Sequence, residues 1–203
     1  MTAKLVATLS LVVVLGWSAP SLATGSKEAG QAKSVTCMAC HGADGNSPNP
    51  EWPNIAGQHA GYIEQQLRLF RGGERQNALM SPMAMILSDE DIADLAAFYS
   101  SQTAKGGEAE PSKVVAGQRL YRGGNLNTGV MACAACHGPA GSGNPLANYP
   151  SIRGQHAVYV AAQLRAYRAG ERGTDANQMM RNVAALLSDE EIDAVASFIQ
   201  GLR

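Results

Sequence analysis

An all-α protein of two tandem domains is the fold the sequence predicts, and three observations predict it. Gly57-Gln58-His59-Ala60 returns as Gly154-Gln155-His156-Ala157, and Leu87-Ser88-Asp89-Glu90 returns as Leu187-Ser188-Asp189-Glu190. The offset is 97 residues at the first motif and 100 at the second, a drift that small loop insertions explain. A period near 100 means duplicated domains, not a solenoid of short repeats. Apolar residues then recur at helical spacing in both halves. No hairpin signal or sustained alternation marks a strand.

In chain order, residues 1–23 read as a secretory signal peptide. Lys4 supplies the positive start, Leu5 to Trp17 is largely apolar, and Ser21-Leu22-Ala23 fits a small-x-Ala cleavage site. The run is short of the roughly 20 residues that span a bilayer. The mature chain is therefore expected outside the cytoplasm. Residues 24–101 are read as the first domain, 102–111 as a Gly- and Glu-rich linker ending in Pro111, and 112–203 as the second domain.

A helix from about Lys27 leads to Cys37-Met38-Ala39-Cys40-His41, and one from about Val114 leads to Cys133-Ala134-Ala135-Cys136-His137. These pentapeptides hold every cysteine of the chain. C-x-x-C-H is the spacing at which two thiols bond to the vinyl groups of one haem while the adjacent His reaches its iron. Two haem c groups are thus expected, on Cys37 and Cys40 and on Cys133 and Cys136, with His41 and His137 as iron ligands. Two disulfides are the alternative in an oxidising compartment. Zinc is another, although the 96 residues between Cys37 and Cys133 exceed the usual spacing of about 15–20.

After each haem motif comes a proline, Pro53 behind Trp52 and Pro150 behind Tyr149. A ligating His donates its remaining N–H to a fixed acceptor, and a proline carbonyl in a rigid turn suits that role. Trp52 and Tyr149 are candidate donors to haem propionates. The next predicted helix runs from Tyr62 to Arg75 and recurs from Tyr159 to Arg172. Its matched cations, Arg71/Arg168 and Arg75/Arg172, read as propionate partners or, in preference, as a solvated face.

The sixth ligand is sought among Met80, Met83, Met85, Met131, Met179 and Met180. Met80 lies eight residues before Ser88 and Met180 eight before Ser188; no other pair recurs. Met80 and Met180 are therefore the expected iron ligands. The matched His59 and His156 form a rival bis-His set, which would lower the potentials because thioether ligation raises them. The last helix of each half starts at a capping box, Ser88 with Asp91 and Ser188 with Glu191. Its apolar stripe is Ile92, Leu95, Ala96 and Tyr99, matched by Ile192, Val195, Ala196 and Ile199.

The formal charge is −1 over 203 residues. Residues 24–105 carry six Lys/Arg against nine Asp/Glu, and residues 106–203 carry nine against eight. No basic stripe points to nucleic acid. With only three Phe and two Trp in the chain, the porphyrin is expected to serve as much of each core.

Taken together, the paired C-x-x-C-H sites, Gly42-Ala43-Asp44-Gly45-Asn46-Ser47-Pro48, the paired Pro-x-Ile-x-Gly-Gln-His segments, Met80 and Met180, and the Leu-Ser-Asp-Glu helices resemble the periplasmic dihaem cytochromes c4. The resemblance covers essentially the whole mature chain. It implies two class I cytochrome c domains related by a pseudo-two-fold axis. It also implies electron transfer between membrane-bound complexes, often from a quinol–cytochrome c reductase to a terminal oxidase, with loose attachment to the membrane common among members. With His/Met on both faces, no iron position stays open for a small-molecule substrate, so the expectation is a carrier, not an enzyme. The alternatives are an electron-transfer subunit of a larger dehydrogenase and a dihaem peroxidase-like enzyme.

Overall fold

The computed structural model describes residues 25–203; the signal-peptide reading of residues 1–23 lies outside them. The described residues form ten α-helices and no sheet. The first half contains α1 (Lys27–Lys33), α2 (Val35–His41), α3 (Ala60–Gly72), α4 (Met80–Met85) and α5 (Asp89–Ser100). The second contains α6 (Val114–Gly123), α7 (Ala134–His137), α8 (Ala157–Arg168), α9 (Met179–Ala184) and α10 (Asp189–Gln200). Both capping boxes form: Ser88 and Ser188 each accept from the backbone N–H three residues on, and Asp91 and Glu191 reach back to the cap N–H.

In each half the first and last helices cross at very close range. A Cβ on Gly30 would collide with the carbonyl of Asp94 on α5, and one on Gly117 with the carbonyl of Ala194 on α10. Only a residue without a side chain lets the backbones touch there. Around these crossings lie two cores. Ile63, Leu95, Ala96, Phe98 and Tyr99 form the first, and a larger set including Leu120, Tyr121, Leu164, Ile192, Val195 and Ile199 forms the second. The haem-motif residues Cys37 and Cys133 pack against them. Each half fills the equivalent place in its own core with different residues. The first places Ser34 and Tyr99 where the second places Tyr121 and Ile199, all four at 3 % exposure or less.

Three sequence expectations are corrected here. The helices read as Tyr62–Arg75 and Tyr159–Arg172 end earlier, at Gly72 and Arg168. Gly73 takes a left-handed φ of 85° and closes α3, leaving Arg75 beyond the helix. The lead-in helix of the second half stops at Gly123, and α7 begins only at Ala134. Between them the chain turns back on itself, with an isolated antiparallel bridge from Asn125 to Val130 and another later from Asn144 to Tyr149.

The halves meet at a reciprocal seam. Gln58 donates to Ser151 O (2.8 Å) and accepts from Ser151 N (3.0 Å); Gln155 does the same with Asn54 O (2.8 Å) and Asn54 N (2.9 Å). His59 donates through Nε2 to Ser142 O and His156 through Nε2 to Ser47 O, each at 2.9 Å. Arg75 reaches Tyr159 Oη and Gln163 Oε1, while Arg172 reaches Tyr62 Oη and Gln66 Oε1. In the glutamine and arginine contacts residue i meets j, and the repeat of j meets the repeat of i. That is the signature of a two-fold relation, here within one chain.

Candidate haem centres

Each C-x-x-C-H motif lies on a short helix, which places its cysteines three residues apart on one face. The first motif ends α2. In the second, Cys133 caps α7 and the remaining residues form it. All four cysteines carry free, half-buried thiols, so neither of the disulfides weighed above forms. Burial pushes the Cys37 thiol up and the Cys133 thiol up to about 11. These thiols are apolar groups against a core, which suits conversion to thioethers.

His41 and His137 are 6 % and 9 % exposed. His41 Nδ1 lies 2.9 Å from Pro53 O, and His137 Nδ1 lies 3.0 Å from Pro150 O. A carbonyl only accepts, so Nδ1 carries the proton and the Nε2 lone pair is left for a metal. Burial lowers both imidazole pKa values, opposed in part by the proline carbonyls, and favours the neutral form that ligates. Both proline carbonyls thus stand where the expected acceptors were placed. The residues present fit a covalently held haem: paired thiols, a neutral imidazole of fixed tautomer, and an apolar surround.

Of the six methionines weighed as sixth ligand, Met83, Met85, Met131 and Met179 are 36 % to 66 % exposed. Met80 and Met180 are half-buried, and Met180 packs against the second core. The halves present them differently. Asn77 Oδ1 accepts from the backbone N–H groups of Leu79 and Met80 and starts α4. Before α9, Asn177 and Gln178 take left-handed φ values of 53° and 59°. Asp175 then holds the N–H and guanidinium of Arg181.

The rival histidines are committed elsewhere. His59 and His156 stand at the N-caps of α3 and α8, with Nε2 donated across the seam. The matched arginines divide. Arg71 and Arg168 bind Leu87 O and Leu187 O and pair with Asp89 and Asp189. Arg75 and Arg172 are not on a solvated face, which corrects the reading preferred from sequence. They lie in the seam, with Arg172 only 8 % exposed and stacked on Tyr167. Tyr149 Oη lies 3.8 Å from Met179 Sδ. The buried Tyr99 hydroxyl has no hydrogen-bond partner among the described residues, whereas Tyr121 donates to Gly138 O at 2.7 Å.

Sequence reasoning missed Gln58 and Gln155 as residues of the seam. Their recurrence within Gly-Gln-His was the available signal, but nothing in a linear repeat says that the partner lies in the other half.

Comparison with known proteins bears on these centres. The family described as Cytochrome c matches twice, at residues 25–103 and 114–203. The chain is 44 % identical to a cytochrome c4 of Pseudomonas aeruginosa, covering 96 % of this chain and 98 % of that one. It is 40 % identical to a thiosulfate dehydrogenase electron acceptor of Stutzerimonas stutzeri, over 81 % of this chain and 77 % of that one. The crystal structure of reduced cytochrome c4 from Pseudomonas stutzeri superposes with a TM-score of 0.85 at 44 % identity, covering 88 % of this chain and all of that one.

Proposed function

This chain belongs to the cytochrome c4 family, and from that premise we propose that it relays electrons in the periplasm from a membrane-bound quinol–cytochrome c reductase to a terminal oxidase. At the coarser level it is a dihaem electron carrier and not an enzyme. Cys37 and Cys40 would hold one haem c, and Cys133 and Cys136 the other. His41 and Met80 would ligate the first iron, and His137 and Met180 the second. Bound haem supplies a one-electron ferric/ferrous couple. The chain fixes each imidazole through a proline carbonyl and keeps it neutral, and Met80 and Met180 would each offer a thioether to an iron, which would close it to other ligands. Closed faces leave electron transfer as the available reaction, because oxygen or peroxide needs an open position.

The observation that carries the ligand assignment is the pairing of a buried, Nδ1-tethered histidine with the one recurrent, half-buried methionine in each half. The test is the holoprotein with Met80→Ala or Met180→Ala. Each substitution should open one iron to carbon monoxide while the other stays low-spin. A variant that remains fully thioether-ligated sinks the assignment of that residue.

Export rests on the leader read from residues 1–23. Among the described residues no helix is long and apolar enough to cross a membrane, so attachment to one would be peripheral. The Stutzerimonas relative favours a second donor, a thiosulfate dehydrogenase. Reduction of the holoprotein by thiosulfate with such an enzyme, compared with reduction by quinol with the reductase, separates the two donors.

A further inference from the structure

The seam and the two iron sites share atoms. The carbonyl of Pro53 that accepts from His41 belongs to the Pro53–Asn54 peptide group. The N–H of that same group is Asn54 N, and it donates to Gln155 Oε1 at 2.9 Å. In the other half, the carbonyl of Pro150 accepts from His137. The N–H of the Pro150–Ser151 peptide donates to Gln58 Oε1 at 3.0 Å. One planar amide therefore stands between each imidazole and a glutamine of the opposite domain.

We infer that Gln155 and Gln58 are crossed positioning residues, each tuning the iron of the domain to which it does not belong. The inference rests on His41 and His137 being the iron ligands. Its physical basis is amide polarisation. An acceptor on the N–H end of a peptide group makes its carbonyl end a better acceptor, because hydrogen bonds in a chain strengthen one another. The proximal Nδ1–H then donates more strongly, and the imidazole becomes more electron-rich. An electron-rich ligand favours the ferric iron and lowers the potential.

Both glutamines are 9 % exposed, so water does not stand in for them without a rearrangement. Each amide is held at three points. Gln155 Nε2 donates to Asn54 O, and its Oε1 accepts from Asn54 N and from His156 N at 3.0 Å. Gln58 has the equivalent set with Ser151 and His59 N. Asn54 adds a further tie, donating from Nδ2 to Gly154 O at 3.0 Å. Each glutamine amide is thus held by one N–H of its own domain and two groups of the other, and the proline amide that its Oε1 acts on belongs to the other.

The experiment is a potentiometric titration of holoprotein carrying Gln155→Met or Gln58→Met, with each haem followed by its own paramagnetic NMR signals. Methionine keeps the volume and removes the acceptor. Gln155→Met should raise the potential of the first-domain haem, by about threefold in the one-electron equilibrium constant, or roughly 30 mV at 59 mV per tenfold. The second-domain haem should move much less. Gln58→Met should show the reverse pattern. Gln155→Glu loses the donor to Asn54 O but keeps an acceptor, so it should bring the first-domain potential back to or below the native value. A purely structural role predicts the same loosening for Glu and Met. Shifts confined to the variant's own domain, equal shifts on both haems, no shift, or failure of the Glu variant to restore the potential would each overturn the inference. Absorption spectra of the same samples report ligation separately. Loss of the two low-spin signals in the native protein would refute the ligand assignment, whereas intact spectra with uncrossed potentials would refute only the crossed tuning.

Discussion

Met80 and Met180 illustrate what a residue-level argument can carry. One methionine in a small core is ordinary filler, but recurrence at eight residues before a repeated helix start singles out two of six. The structure adds that the four others considered lie at the surface. Replacing either with alanine should lower the potential of that iron as well as open it, since thioether ligation raises haem potentials. His59 offers the complementary prediction. His59→Ala should keep both low-spin spectra, because its Nε2 is spent on Ser142 O; conversion of one haem to high spin on this change would revive the bis-His set. Arg75 and Arg172 mark the limit of residue-level reading. Two matched cations at the end of an amphipathic helix look solvent-facing, and only the folded seam shows that they reach Tyr159 and Tyr62 of the opposite domain.

At the scale of elements, the close crossings of α1 on α5 and of α6 on α10 dominate. Gly30→Val and Gly117→Val should each cost more than about 2 kcal/mol, comparable to severe overpacking, because the obstacle is a backbone carbonyl that has no rotamer to escape into. Ser88→Ala removes one capping box and should cost about 1 kcal/mol in denaturant unfolding. The first domain also carries a charge cluster that the second lacks. Lys33 binds Asp94 at 2.6 Å and Asp91 at 2.8 Å, and Asp94 also accepts from Ser26 N at 2.7 Å. Lys33, with smaller help from Ser88 and Ser26, holds both carboxyls well below the ordinary 3.8, and they raise the Lys33 pKa above 10.5. For the carboxylates the contribution is present above pH 3.8 and lost as pH falls further. For the lysine it is present below pH 10.5 and lost only as pH rises beyond it. Lys33→Met should therefore flatten the acid limb of the stability profile below about pH 4; an unchanged limb in acid titration by circular dichroism would contradict this. The capping boxes and apolar stripes were legible because they are local patterns. The early stop of α3 was less so, since Gly72-Gly73 precedes charged residues that continue the helical count.

At the scale of the whole molecule, the fold class and the duplication were open in the sequence because repeats and helical periods are written linearly. The seam was not. A contact between Gln58 and Ser151 spans 93 residues, and the reciprocity that makes it recognisable appears only when the two halves are set face to face. The seam is polar, and its partners are backbone amides, tyrosines, glutamines and guanidiniums. It resembles the more polar, smaller interfaces that join domains within a chain. Arg75→Ala with Arg172→Ala should uncouple the halves, so that calorimetry of holoprotein passes from one cooperative transition to two. A single unchanged transition would show that the glutamine and histidine bonds suffice without the arginines.

The central claim is that both irons are closed by protein, histidine on one face and methionine on the other. Magnetic circular dichroism of the oxidised native holoprotein through the red and near-infrared tests it most directly. The account predicts two low-spin haems per chain, each with a sulfur-to-iron charge-transfer band, and no carbon monoxide binding at neutral pH after reduction. A high-spin component, a single sulfur band for two haems, or carbon monoxide uptake by the resting protein would contradict it.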